Sequence, residues 1–415
     1  MNFDDTPEEA AFRARARTWI QQNAPHELAE ELGQEGAARL TLKSVDPMTA
    51  ARAWQKKKSD AGWATPHWPK EYGGADLSPI ERVIWSQEEG VFASLSAPFF
   101  IGHGMCGPTL MAWGSDEDKK DRLPRLSSGE ENWCQMFSEP AAGSDLAAVR
   151  TRAIRDGDDW VVNGQKIWTS YAHEADWGLL IARTDPTLPK HRGLTMFFLD
   201  MRSPGVVVQP IRQISDETEF NEIFLSDVRI PDAQRLGNIG QGWEVALTTL
   251  MNERASLATG AATGFGVALK FCSELEIALG KLAIDDSRVR SRLATFAIRD
   301  SGLRFTAFRN ISALSRGERP GPESSISKLV WASTMQDVAR FGMDLQGEAG
   351  LLDDSEQPSA DGGFHGMLMR GAGMRIAGGT DEVMRNIIAE RVLGLPADMR
   401  ADKDVPFDQV PTSAR

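Results

Sequence analysis

Cysteine is scarce in this chain. Cys106, Cys134 and Cys272 are the whole supply in 415 residues, an odd and widely spread set with no Cys-x-x-Cys pair. That argues against a disulfide framework, a zinc site or a dithiol redox motif, and fits a reducing compartment. Six histidines, His26, His67, His103, His173, His191 and His365, form no His-x-x-Glu-His or His-x-His pattern, so no metal is expected. Basic charge is in deficit as well. Forty-six Lys and Arg face 59 Asp and Glu, and the net charge of −13 repels polyphosphates, so nucleic acid is not an expected partner. No apolar run approaches the length of a membrane span, and the acidic start (Asp4-Asp5, Glu8-Glu9) is unlike a basic signal or transit peptide. The expectation is a cytoplasmic protein with no membrane partner.

With 41% apolar and 25% charged residues the composition is that of an ordinary globular protein. At roughly 150 residues per domain, the length predicts two or three domains and is sufficient for an enzyme. Apolar spacing is helical from Thr6 to about Leu126, giving an N-terminal α-domain over 1–130. Within it, the Pro-, Gly- and aromatic-rich stretch 62–74 reads as an ordered loop explained by local packing. A β-domain is predicted over 131–236. Its strands are Thr151–Val162 and Gln165–Ser170, joined by a two-residue turn at Asn163-Gly164, then Trp177–Arg183, Leu194–Met201, Val206–Ile211 and Glu222–Ile230. Helical spacing returns over 237–395, and 396–415 reads as an irregular tail.

Four stretches carry possible chemistry. The first, Trp133–Asp145, holds Gln135, Phe137, Ser138 and Ser144 where helices give way to strands; taken alone, it is better explained by a tight turn opened by Pro140. In the second, Lys166–Ser170, Trp168 is suited to packing on a flat ring beside the Ser170 hydroxyl, or to filling a core. The third is the helix 243–257. At about 100° per residue, Glu253 shares one stripe with Ala246, Leu250 and Leu257, while Glu244, Thr248 and Asn252 face elsewhere. A carboxylate on an apolar face needs either a partner or a chemical role. Burial raises its pKa toward that of a general base, but an ion pair with another helix is an equal alternative. The fourth runs through Gly378-Gly379-Thr380-Asp381-Glu382, where Thr380 is a fit N-cap for an ordinary helix or for one facing an oxyanion or ribose.

Taken in order, these stretches resemble the acyl-CoA dehydrogenase family from about Phe12 to Pro396. Phe137-Ser138-Glu139-Pro140-x-x-Gly143-Ser144-Asp145 is similar to its Thr/Ser-Glu-Pro-x-Ala-Gly-Ser-Asp signature, Asn163-Gly164-x-Lys166-x-Trp168 to its Asn-Gly-x-Lys-x-Trp stretch, and Gly378-Gly379-Thr380-x-Glu382 to the start of its last helix. The resemblance implies a mostly α, α+β fold with an N-terminal helical domain, a middle β-domain and a C-terminal four-helix bundle, assembled as a homo- or heterotetramer with FAD. It further implies that Gln135, Phe137, Ser138, Trp168 and Ser170 line the flavin, that Gly347, Gly350, Thr380 and Glu382 contact the FAD, and that Ser144 and Arg254 contact acyl-CoA.

The medium-chain type carries its base in Tyr-Glu-Gly-Thr, a stretch that here reads Ala377-Gly378-Gly379-Thr380. Isovaleryl- and long-chain-type members place it earlier, in a Leu-x-x-Glu-Arg context matched by Leu250-Met251-Asn252-Glu253-Arg254. Helix face and resemblance thus select Glu253. The implied reaction removes the α-proton of an acyl-CoA with Glu253 while the β-hydrogen leaves as hydride to the flavin, with the Gly378 backbone N–H stabilising the enolate-like oxygen and an electron-transfer flavoprotein taking the electrons. Two stretches depart from the family. Its Arg-x-x-Phe-Gly, whose Arg in the family reaches a neighbouring subunit's FAD pyrophosphate, reads Glu276-Ile277-Ala278-Leu279-Gly280, and 344–350 keeps Gly347 and Gly350 but not the usual Gln, leaving the pyrophosphate contacts to come partly from elsewhere, Arg288 or Arg290 being the candidates. Two alternatives follow: a flavin oxidase or monooxygenase on the same fold, or an FAD-poor structural subunit of a heterotetramer.

Overall fold

Helix starts in this chain follow from local side-chain chemistry. Thr6 accepts from the Glu9 backbone N–H while Glu9 accepts from the N–H of Thr6, and with Pro7 at the first helical position α1 (Pro7–Asn23) begins. After α2 (Ala29–Leu32) and α3 (Pro47–Asp60), Ser78 and Glu81 repeat the reciprocal cap at the head of α4 (Pro79–Glu89), followed by α5 (Gly107–Trp113) and α6 (Asp116–Ser128). The computed structural model describes residues 5–32, 42–257, 263–316, 321–351, 363–397, 399, 402 and 404–410, with the backbone alone for 254–257 and 314–315. Among the described residues no helix is long and apolar enough to cross a membrane.

The strands form one eight-stranded sheet. β6 (Val206–Pro210), β7 (Phe220–Pro231), β3 (Asp159–Ser170), β2 (Arg152–Asp156), β4 (Trp177–Arg183), β5 (Leu194–Asp200) and β8 (Arg235–Leu236) lie in that order, and β1 (Trp133–Met136) pairs parallel with β4. β4 and β5 are buried almost throughout because both faces are covered. Leu179, Ile181, Met196 and Phe198 pack with Trp133, Val245 and Ala246, whereas Leu180, Ala182, Phe197 and Leu199 pack with Val162 and Ile223.

One expectation is corrected. Asn163-Gly164 is not a hairpin turn: the chain reverses at Gly157-Asp158, with Gly157 at φ 65°, and β2 pairs with β3 from Asp156↔Asp159 to Arg152↔Asn163. Asn163-Gly164 lies inside β3, where the register with β7 slips by one residue. Asn163 exchanges hydrogen bonds with Asp227 on β7 (2.9 and 3.0 Å), and a Cβ on residue 164 would stand 2.4 Å from Thr151 Oγ1. The Asn-Gly pair therefore serves a bulge crowded by the neighbouring strand.

The chain divides into two compact units, 1–26 with 43–253 and 398–415, and 27–42 with 254–397. The first holds the sheet, most of the N-terminal helices and most of α7 (Gly242–Leu257). The second holds α8 (Phe265–Glu274), a hairpin of β9 (Glu276–Ala278) and β10 (Lys281–Leu282), α9 (Ser287–Ser315), α10 (Ser324–Gln346), α11 (Phe364–Met374) and α12 (Asp381–Ile387). Its core is built on Phe271, Phe296, Val338 and Phe364. In the tail, residues 404–410 are irregular apart from one 3₁₀ turn at Phe407–Gln409.

Candidate active site

The first unit draws two motif stretches together around a buried ion pair. Lys166, fully buried in β3, donates to Glu139 Oε1 at 2.8 Å and to the Phe137 carbonyl at 3.0 Å. Glu139 also accepts from the backbone N–H groups of Arg150 (2.6 Å) and Thr151 (2.9 Å). Burial pushes the Glu139 carboxyl up, but the Lys166 ammonium and those donors outweigh it and hold the group below its ordinary value. For Lys166 burial wins and the ammonium is pushed down, with Glu139 opposing. Next to this pair the Ile167 N–H donates to the Ser138 carbonyl at 2.9 Å. The segments 137–139 and 166–168 are thereby fixed side by side, which brings Ser138 and Trp168 to one place.

Trp168 is the unusual residue there. It sits at φ 60°, in a stretch where the register with β7 shifts between Lys166 and Thr169, and it is 56% exposed. A non-glycine residue in that conformation costs about 1–3 kcal/mol. The bulge turns the indole out of the sheet, edge-on to Phe220 at 6.0 Å. Thr169, next in the chain, is buried, and its Oγ1 has no hydrogen-bond partner among the described residues; the same holds for Gln135 Oε1 on β1. Ser170 and Ser138 are half-buried and Ser144 is exposed. Phe137 differs from the rest, because its ring is 3% exposed and belongs to the core. An exposed flat indole beside unpartnered polar atoms fits the ring end of a flavin: stacking surface from Trp168, hydrogen-bonding atoms from Gln135, Ser138 and Thr169. Sequence reading passed over Thr169, whose only signal was its place between Trp168 and Ser170.

α7 carries the predicted base. Gly242, Val245, Ala246 and Thr249 make its buried face, Leu250 packs beside them, and Leu247 and Met251 are exposed. The helix is pinned to α5 by Thr109 and Thr249 hydroxyls 2.9 Å apart and by the Trp113 indole N–H donating to Thr248 Oγ1 at 3.0 Å. Glu253 follows Thr249 by four residues on that face and is half-buried. The Arg254 side chain lies outside the described residues.

In the second unit Gly378 and Gly379, at φ 64° and 96°, turn the chain into α12. Thr380 caps that helix by accepting from the Val383 N–H at 3.2 Å, and Lys328 Nζ donates to the Gly379 carbonyl at 2.5 Å. Asp381 is buried against Arg375 (2.6 Å), whereas the Glu382 side chain is exposed. Gly347 follows the end of α10, and Gly350 lies buried against the Met343 backbone. A cavity of about 430 Å³ opens where β9 meets the end of α10, lined by Phe271, Leu275, Ile277, Glu276 and Gln346 among others. Glu276 accepts from the Gly280 N–H and so closes its own hairpin. Arg290 is spent on the carbonyls of Ile284 and Asp285, and Arg288 is exposed. A cavity whose one charged lining residue is a carboxylate does not fit a diphosphate. Gln346, missed in the sequence, supplies an amide to it.

Models of the N-terminal, middle and C-terminal domains of acyl-CoA dehydrogenase match residues 6–130, 134–228 and 240–393. Acyl-CoA dehydrogenase IpdE1 of Mycobacterium tuberculosis is 36% identical over 393 residues, covering 94% of this chain and 98% of the relative. Acyl-CoA dehydrogenase FadE34 of the same organism is 35% identical over 385 residues and covers 92% of this chain, which spans about half of that relative (52%). The solved structure named Tcur3481-Tcur3483 steroid ACAD aligns with a TM-score of 0.80 at 28% identity, covering 96% of this chain and 100% of that one.

Proposed function

This chain belongs to the acyl-CoA dehydrogenase family, FAD-dependent oxidoreductases that dehydrogenate acyl-CoA thioesters, and on that premise we propose how its own residues carry the reaction. Glu253 removes the α-proton of the thioester from its half-buried place on α7. The Gly378 backbone N–H stabilises the thioester oxygen as charge develops there, which a weakly acidic carbon requires. Bound FAD supplies the acceptor for the β-hydrogen, which departs as hydride and leaves a trans-2-enoyl-CoA.

Trp168 packs on the flavin, Gln135, Ser138 and Ser170 meet its polar edge, and the segment of Phe137 closes the ring pocket from the core side. Thr380, Glu382, Gly347 and Gly350 hold the remainder of the FAD, while Ser144 and Arg254 hold the acyl-CoA. We assign the electrons to an electron-transfer flavoprotein, the assembly to a homo- or heterotetramer and the location to the cytoplasm. The observation that carries the reading is the Trp168 bulge, a strained and exposed indole in a stretch held by the Glu139–Lys166 pair and followed by Thr169, whose Oγ1 has no partner among the described residues.

Anaerobic titration of the purified chain with a panel of CoA thioesters, steroid-derived esters included because of the relative named for them, tests it. Bleaching of the flavin band by at least one ester is the expected result; none, from a yellow protein, contradicts it. Steady oxygen uptake with peroxide release would instead favour the oxidase reading. The structural-subunit reading is favoured by one observation, the Glu276 carboxylate at the 430 Å³ cavity, and it predicts a colourless chain when purified alone.

A further inference from the structure

The C-terminal segment does more than trail from the last helix. Asp402 Oδ2 lies 2.5 Å from the Nζ of Lys190, a buried lysine whose other carboxylate, Asp145 Oδ2, is 2.8 Å away. Five residues on, the Phe407 ring covers the Arg183 guanidinium at 3.8 Å, and Arg183, itself buried, donates to the carbonyls of Ala147 (2.6 Å) and Lys190 (2.8 Å). The backbone N–H groups of Phe407 and Asp408 donate to the carbonyls of Leu188 and Pro186, both at 3.0 Å. The far end of that loop meets α7, where His191 packs edge-on against Trp243 at 4.8 Å.

We propose that Asp402 and residues 404–408 are a strap that positions the acyl-CoA-binding loop, Asp402 acting through Lys190 on Asp145 and Phe407 acting through Arg183 on the 147–149 backbone. Asp145 directly follows Ser144, the exposed hydroxyl assigned above to the substrate, so this inference rests on that assignment. The Asp145 side chain is itself about half exposed and gains its fixed direction from Lys190. Asp402 and Phe407 are therefore positioning residues. One cation between two carboxylates also makes the strap separable from the fold: without Asp402, Lys190 keeps Asp145 as a partner and is not left an unpaired buried cation, but it loses the second anchor that fixes where it holds Asp145.

The test is steady-state kinetics on the full-length holoenzyme with an ester that reduces it, comparing Asp402→Asn, Phe407→Ala, Ser144→Ala and the double variant Ser144→Ala/Asp402→Asn. The strap predicts that KM rises about 5- to 20-fold in each single variant, with kcat within twofold and FAD content unchanged. The double variant is then no worse than the more severe single one, Asp402→Glu restores KM, and amide exchange at Ala148 and Val149 quickens in Phe407→Ala. A raised KM in Ser144→Ala with an unchanged KM in Asp402→Asn overturns the strap and leaves the Ser144 assignment standing. An unchanged KM in Ser144→Ala overturns that assignment and the strap with it. Loss of kcat in step with melting temperature, without a KM effect, reduces the segment to a structural brace and also overturns the proposal.

Discussion

Glu139 in the first unit and Glu276 in the second both lie in stretches that the proposed reading assigns to cofactor contacts, and their surroundings use them differently. Glu139 is buried against Lys166 and two backbone N–H groups, so its charge is consumed in holding two loops together. Glu276 accepts from its own hairpin and leaves negative charge beside a cavity. A carboxylate paired with a lysine is scaffold, whereas a carboxylate facing a cavity is a filter that disfavours anions. On the proposed reading, the ring end of the cofactor has a built support, while its diphosphate is held by groups other than Glu276.

The comparison breaks most sharply at Lys166. Lys166→Met leaves Glu139 buried without its cation and is expected to destabilise the protein by about 3–5 kcal/mol, with loss of bound FAD; denaturant unfolding and the flavin-to-protein absorbance ratio read both. Glu276→Arg supplies the charge the cavity lacks and should raise FAD affinity by about tenfold at low salt, an effect that shrinks as salt screens it; equilibrium dialysis measures it. Trp168→Gly releases the strained backbone but removes the stacking surface. FAD affinity should fall about fivefold, from the loss of roughly 1 kcal/mol of ring contact, while the melting temperature of the apoprotein does not drop.

The smallest effect is one of pH. His103, in the first unit, is pushed down by burial to about 3 from an ordinary 6.5, although its bond to the Leu126 carbonyl opposes this. An imidazole neutral in the fold but protonated when unfolded makes stability fall as pH drops from about 6.5 toward 3. His103→Asn should flatten that part of the melting-temperature profile, whether or not it lowers the plateau near pH 7.

What the sequence disclosed tracks local physics. β4 is found at the predicted Trp177–Arg183, and β5 within one residue of the prediction, since continuous apolar runs bounded by polar residues have few other uses. Asn163-Gly164 misled because the dipeptide that suits a tight turn also suits a bulge, and only the crowding by Thr151 decides between them. In the site, the spacing along α7 put Glu253 on a stripe with Ala246 and Leu250, of which Ala246 is buried and Leu250 packs against the same core, but no local pattern could reveal that Phe137 belongs to the core. Gln346 and the strap were hidden because they depend on contacts between distant stretches, Asp402 reaching Lys190 across more than two hundred residues.

The proposed chemistry depends above all on Glu253 as the base. In anaerobic single-turnover mixing of holoenzyme with a reactive acyl-CoA, Glu253→Gln should keep its FAD and bind the ester, while the rate of flavin bleaching falls about 10²- to 10⁴-fold. Bleaching at the rate of the unaltered enzyme would contradict that role.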